Sequence, residues 1–365
     1  MKELLTETCD LLLQMYDPKE ALFSYISRME QGRLIHDCRH PLALRYTINS
    51  LAGLQEYVKY NQLDWDMAGH IHTFVERYMD KVDHPGDQGL LLFVLSRQGH
   101  ESAGYLFDKI KKRWAGKRKP LGRNLQDLSW LLWGVTQYLY REHCRDAEGV
   151  ARNVFKLIKE NYISKDSLLP SYGMLPGQRH FVTFGGLCYF LRAVFEYGRI
   201  VDDHGSQDLF NDMCQRILRL QGPLGQWPWI INTRRVAVAD LYPVFSVHQD
   251  SMAMLFLLPA SIFGIEGANQ AIEKSLAWLS EGGNELHISM IRKEPFFIYR
   301  AMHRRERFPQ VRRYIRSLGR DAKDAKNENI VKTLKINPEC RSYHLGWILF
   351  VWSPHSVKTR SESSL

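Results

Sequence analysis

The sequence predicts an all-α protein, an α/α toroid of about six to seven helical hairpins arranged as an inner and an outer ring. Three observations carry this. Apolar residues recur at three- and four-residue steps in segments 3–15, 42–58, 65–82, 103–114, 125–142, 147–161, 183–200, 207–220 and 268–280, the spacing that gives a helix an apolar face. Strand-like alternation is scarce, and the short candidates HISMI (287–291) and SLLPSYGML (167–175) suit a loop or a minor hairpin. Finally, the helices alternate in character. Apolar, aromatic-rich ones begin near residues 42, 87, 125, 182, 246, 293 and 342, with charged, amphipathic ones between them. Such a two-helix period buries all its apolar surface if the apolar helices line the inside and the amphipathic ones wrap them. An open solenoid uses the same pairing with tighter, more uniform repeats.

Taken in order, segment 3–15 carries acids in its apolar stripe and no small-residue cleavage site, so it reads as a helix and not a signal peptide. The string Asp64-Trp65-Asp66-Met67 opens the outer helix 65–82, where capping explains its aspartates. In 183–200, Leu187, Phe190, Leu191, Val194 and Phe195 make an apolar face broad enough for burial on more than one side. Ser246 followed by Gln249 fits a capping box, which starts the next inner helix at Val247. The apolar run from Val244 to Phe263 is interrupted by His248, Gln249, Asp250, Ser251 and Pro259, so it reads as a buried helix and not a membrane span. The long connections 163–182, 221–245, 282–293 and 319–341 all precede inner-type helices, which puts them at one end of the ring as walls around its mouth. One domain over 1–352 is expected, with RDAKDAKNENIVK (320–332) as a mobile flap and 353–365 as a disordered tail.

Composition is that of an ordinary globular protein, 45% hydrophobic and 24% charged. The net charge of +9 is partly concentrated in KIKKRWAGKRK (109–119) and RAMHRRERFPQVRRYIRSLGR (300–320), which suit solvated helix faces. No nucleic-acid-binding motif accompanies them, so no nucleic-acid partner is expected; peripheral contact with a membrane stays open. Six widely spaced cysteines without a CxxC pair point to free thiols and to no zinc site. No metal and no cofactor is called for, and a cytoplasmic address is the default.

The stretch QGPLGQWPW (221–229) places Gln221, Gly225 and Trp227 at the spacing Q-x-x-x-G-x-W. It resembles the QW motif of the squalene and oxidosqualene cyclases, members of an α/α-toroid superfamily that also includes prenyltransferases. In that family the glutamine and tryptophan tie the end of an outer helix to the next loop. The resemblance implies an isoprenoid substrate in an aromatic cavity, cyclised by carbocation chemistry that a general acid starts. Asp250 or Asp240 would be the acid, and Trp130, Trp133, Phe184, Trp229, Tyr242 and Phe245 the aromatic faces for a migrating cation. The chain departs from the family at its D-x-D-D acid string, the nearest match being Asp64-Trp65-Asp66-Met67.

Ligand-competent residues recur at the start of successive inner helices. His248 and Asp250 open one, in a first turn whose free amides favour an anion. Arg45 opens the first, beside His40 and Tyr46; Asp127, Trp130 and Trp133 open the third; Arg179, His180 and Phe184 precede or begin the fourth. Glu294 and Arg300 fall at the sixth, and Tyr343 and His344 at the last, next to Arg341. In a toroid these converge on one cavity, which also suits a second class, a carbohydrate-active lyase, hydrolase or epimerase on acidic sugars. There tryptophans stack on sugar rings, arginines hold carboxylates, and His248, His344, Tyr242 or Tyr343 exchange protons. A hydrolase would instead use Asp127, Asp250 or Glu294. The third reading is a non-catalytic helical scaffold. The motif match ranks the isoprenoid reading first.

Overall fold

The computed structural model describes residues 1–31, 33–114, 124–175, 177–305 and 331–356. Among these, twelve α-helices alternate between two rings. The inner ring is α2 (Ala43–Tyr60), α4 (Pro85–Gln98), α6 (Leu125–Glu142), α8 (Phe184–Val201), α10 (Met254–Ile262) and α12 (Ser342–Trp352). The outer ring is α1 (Lys2–Gln14), α3 (Met67–Tyr78), α5 (Ser102–Trp114), α7 (Arg145–Asn161), α9 (His204–Leu218) and α11 (Ala268–Leu279). From α2 to α10 each inner helix packs on the next, the turn His248–Met252 that leads into α10 packs on α12, and α12 packs on both α2 and α1, which closes the ring. The fold is an α/α toroid of six hairpins.

Side-chain pattern decides which ring a helix joins. In α7 only Ala147, Val150, Ala151, Val154, Phe155 and Ile158 are buried, a single stripe at three- and four-residue steps. In α4 every residue from Gln88 to Ser96 is buried, because neighbours press on all sides. Inner helices meet closely enough for backbones to touch. A Cβ on Gly134 of α6 would overlap the Gly89 carbonyl of α4, and one on Gly53 of α2 would overlap that of Gly346 in α12. Glycine is required at these crossings for want of space.

Short antiparallel sheets collar one end of the ring. β5 (Phe181–Thr183), β6 (Ile230–Asn232) and β7 (Ala237–Asp240) form one, and β8 (Val244–Phe245), β11 (Ala301–Arg304) and β12 (Leu334–Asn337) another. β13 (Glu339–Cys340) joins β3 (Ile26–Glu30) and β4 (Arg33–Asp37) in a third. β5, β8 and β13 each run straight into the N-terminus of an inner helix, so the collar holds that mouth. Two smaller pairs are β1 (Tyr16–Asp17) with β2 (Leu22–Phe23) and β9 (Ile291–Lys293) with β10 (Phe296–Ile298).

Two local expectations are corrected. The segment RKEPFFIYR does not begin an inner helix: Lys293 pairs with Phe296 across a turn made by Glu294 and Pro295, and the chain continues as strand, so there are six hairpins. The capping box at Ser246 does not form either. Its hydroxyl donates instead to the Tyr299 carbonyl at 2.5 Å, because β8 is tied to β11 there. The chain enters α10 through a π-type turn, His248–Met252. Residues 320–330 of the expected flap and 357–365 of the expected tail lie outside the described residues, while Ser353–His355 add a 3-10 turn to α12.

The crossings give a paired test by thermal or urea unfolding. Gly134→Ala is expected to lose about 2–3 kcal/mol by forcing α4 and α6 apart. Gly149→Ala, exposed on α7 with open space around it, is expected to gain about 0.5–1 kcal/mol from helix propensity. Equal effects would refute the packing account.

Candidate active site

The collared mouth opens into a cavity of about 260 Å³ built from four of the inner helices and the π-type turn that leads into α10. α2 supplies Arg45, Tyr46 and Asn49, α6 supplies Gln126 and Trp130, and α8 supplies Gly185 and Tyr189. The π-type turn supplies His248 and Met252, and α12 supplies Tyr343. Trp229, Phe245 and Arg300 come from the collar and complete the wall.

The π-type turn does the sorting at its centre. It carries His248 to the cavity wall while Asp250 turns away towards α12, where both its carboxylate oxygens lie 2.8 Å from His344 Nε2. The Ser251 hydroxyl donates to Asp250 Oδ1 at 2.9 Å, and Trp352 Nε1 donates to the Asp250 carbonyl at 2.6 Å. Asp250 and His344 are each only 2% exposed, so the pair is shielded from water and the carboxylate orients the ring. His248 is packed between Phe184 and Phe245, each 5.1 Å away between ring centres. Burial, with a smaller contribution from His344, pushes the His248 imidazole down to about 3, so it is neutral at physiological pH. Its Nδ1 finds no partner within the protein.

Cations gather at the rim. Arg45 grips Asp87 through two bonds of 2.6 and 3.2 Å and lies 5.0 Å from the centre of the Trp130 ring. His84 meets Asp127 at 3.3 Å. Burial raises the Asp127 carboxyl above its usual range, against the opposing pull of His84 and Arg45. On the other side Arg28, Arg300 and Arg341 share Glu339 at 2.9, 3.2 and 2.6 Å. Burial alone would raise Glu339, but those three guanidiniums hold it below the usual range.

The expected site residues therefore divide. Arg45, Trp130, Trp229, Phe245, His248, Arg300 and Tyr343 line the cavity. Asp250, His344 and Phe184 lie directly behind it, Phe184 stacked at 4.9 Å on Trp227. Asp127 belongs to the rim pair with His84. Trp133 lies one turn deeper on α6, stacked on Trp347 at 5.8 Å. Tyr242 faces a separate core, donating to Glu285 at 2.8 Å. Asp240 ends β7, where its carbonyl accepts from the Trp229 amide at 3.0 Å. Arg179 and His180 are exposed on the loop before β5, and Glu294 is exposed in the β9–β10 turn. Among the described residues no group of three or more His, Cys, Asp or Glu side chains is placed to hold a metal ion.

Asn49 was not foreseen. It is 1% exposed, lines the cavity, and neither end of its amide has a partner within the protein. It stands four residues after Arg45 on the same helix face, so the spacing alone could have nominated it.

No family model and no curated protein matches the chain. Solved structures do. Cellobiose 2-epimerase from Bacillus thermoamylovorans superposes with a TM-score of 0.67 at 11% identity, over 97% of this chain and 100% of that one. A sugar epimerase from a ruminal bacterium gives 0.66 at 11% identity, over 98% and 99%. A glycoside hydrolase family 76 mannosidase from Bacteroides thetaiotaomicron gives 0.62 at 9%, over 99% of each chain. These likenesses establish the toroid fold. They overturn the resemblance to squalene-type cyclases, since the matching toroids are carbohydrate-active enzymes. The QW-like residues have a local cause: Gln221 Nε2 donates to Ala271 O at 2.9 Å and to Ser275 Oγ at 3.0 Å, and Trp227 Nε1 donates to the same hydroxyl at 2.8 Å. They clasp the end of α9 to α11. Asp250, the expected acid, is turned away from the cavity to His344.

The unfolded chain protonates His248 near its ordinary 6.5, the fold only near 3. The unfolded state thus binds more protons between these values, so the contribution of His248 to stability rises with pH from about 3 to 6.5 and is flat above. Urea unfolding at pH 4.5 and 7.5 is expected to show a smaller acid loss in His248→Gln than in wild type. An unchanged difference would contradict the buried neutral imidazole.

Proposed function

We propose that this chain is a carbohydrate-active enzyme of the epimerase or isomerase kind, moving a proton on a small saccharide held in the mouth cavity. The observation that carries the reading is the convergence of two buried histidines, His248 on the wall and His344 behind it on Asp250, at a cavity with no carboxylate among its described lining residues. A retaining or inverting glycosidase needs two carboxylates about 5–9.5 Å apart facing the substrate. Here Asp250 is held by His344, Asp127 by His84, and Glu294 is at an exposed turn.

In the proposed reaction the sugar is open at its carbonyl. His248 takes the proton from the adjacent carbon, and the C–H electron pair moves into an enediolate. The developing oxyanion lies beside the guanidiniums of Arg45 and Arg300, which favour it over the neutral carbonyl. Once the enediolate turns about its adjoining C–C bond, returning the proton from His248 to the other face gives the epimer; returning it to the neighbouring carbon, with the hydroxyl proton passing between the two oxygens, gives the ketose; nothing else is consumed. A lone proton on buried His248 is costly, but an enediolate alongside offsets that cost, and the His344–Asp250 pair sets the field around it. Trp130 and Trp229 offer ring faces for the apolar side of a sugar, and the Asn49 amide offers a donor and an acceptor to its hydroxyls. The small cavity suits one or two sugar units better than a polyprenyl chain. The six unpaired cysteines support a reducing, cytoplasmic setting.

Incubation with aldoses and reducing disaccharides in D2O, followed by proton NMR, tests this. Solvent deuterium should enter the carbon beside the carbonyl, and His248→Gln should lower kcat by about 10²–10⁴-fold with KM little changed. New reducing ends without deuterium would show hydrolysis and sink the proposal.

A further inference from the structure

The opposite end of the ring carries a second and larger cavity of about 530 Å³, formed by the C-terminal halves of the inner helices. Its floor is apolar, with Phe93, Trp133, Phe195, Leu258 and Phe350. Its wall is cationic, with Lys59, Arg97, Arg141, Arg192 and Arg199 against two carboxylates among the described lining residues, Glu56 and Glu196. Each carboxylate is already shared. Glu56 pairs with Arg97 and with Lys59, and Glu196 pairs with Arg192 at 2.7 Å and with Arg199 at 3.0 Å.

Two of these cations are brought together at some cost. Arg97 and Arg192 flank the same aromatic ring, their guanidinium carbons 5.4 and 5.8 Å from the centre of Phe350. The Arg97 side chain is only 9% exposed, and burial together with Arg192 brings its guanidinium down to about 10. Arg192 Nε is buried without an acceptor. Helix dipoles explain some of this placement, since carboxyl ends favour cations. They do not explain setting a half-buried guanidinium, Arg192, beside a buried one, Arg97, over one ring with the Arg192 Nε donor left over. An anion placed between them would relieve the repulsion, accept that donor and gain charge-assisted hydrogen bonds.

We propose that this lower mouth is a binding site, separate from the sugar cavity, for a small organic anion that carries a phosphate on a ring-shaped or apolar body. Arg97 and Arg192 hold the phosphate, and the floor of Trp133, Phe195 and Phe350 takes the body. The two mouths do not communicate directly. Trp133 lies in the lower floor, Trp130 in the upper wall, and between them Trp347 stacks on Trp133 at 5.8 Å and contacts Tyr189 at 5.6 Å, with Tyr189 5.0 Å from Trp130. This aromatic partition fills the ring.

Isothermal titration of the full chain with phenyl phosphate, inorganic phosphate and phenol tests the proposal. Phenyl phosphate is expected to bind most tightly, with affinity falling as salt rises. Arg192→Gln leaves Glu196 paired to Arg199 and should weaken binding at least tenfold. Leu258→Trp, which fills the floor without touching an ion pair, should do the same, so a folding failure of one variant leaves the other to decide. His248→Gln, in the upper mouth, should bind as wild type. Loss of binding in His248→Gln with retention in both lower-mouth variants would place the anion in the upper cavity and overturn the proposal. Absence of binding at millimolar phenyl phosphate would overturn it as well.

Discussion

Backbone contact between inner helices is the constraint from which the rest follows. At Gly53–Gly346 and Gly89–Gly134 no side chain stands between the helices, so the inner ring draws tight and its central space is only wide enough for side chains. Trp133, Trp347 and Tyr189 fill that space. Among the described residues this plug separates the two mouths. Whatever it binds must bind at a mouth.

The two mouths differ because helices have direction. At the N-terminal mouth, first-turn amides and side chains face the opening, with Asn124 and Thr183 capping α6 and α8, and the strand collar adds walls. Each strand that feeds an inner helix fixes where its first turn points. β8 leads into the π-type turn that separates His248 from Asp250, and β13 leads into α12, which presents His344 to Asp250. The dyad thus depends on two strands and a helix irregularity. At the C-terminal mouth, carbonyl ends favour the cations found there, and among the described residues no strand collar covers them.

Much of the ring was legible in the sequence because its cause is local. A helix such as 145–161 needs one apolar stripe, and a stripe shows in eleven residues. The same holds for Asp66, which caps the helix after it. What escaped was what depends on pairing distant segments. RKEPFFIYR has enough aromatics for an inner helix, yet cross-strand pairing with its own neighbour and the turn at Pro295 win. Ser246 has the spacing of a cap, but the Tyr299 carbonyl, 53 residues on, takes its hydroxyl. His344 and Asp250, 94 residues apart, were each nominated, though nothing in the sequence joins them. The three-position QW likeness misled for the opposite reason. It reports the clasp of α9 to α11, which is a property of ring construction and carries no information about the substrate.

The central claim is that His248 is a neutral, sugar-facing proton carrier. NMR of the chain with 15N-labelled histidine reads this directly, with His248→Gln assigning the signal. The account predicts that the His248 ring nitrogens stay in the neutral pattern from pH 8 to 5 and shift when a reducing disaccharide is added to saturation. A signal that titrates near the ordinary histidine value, or one unmoved by every sugar tried, would contradict it.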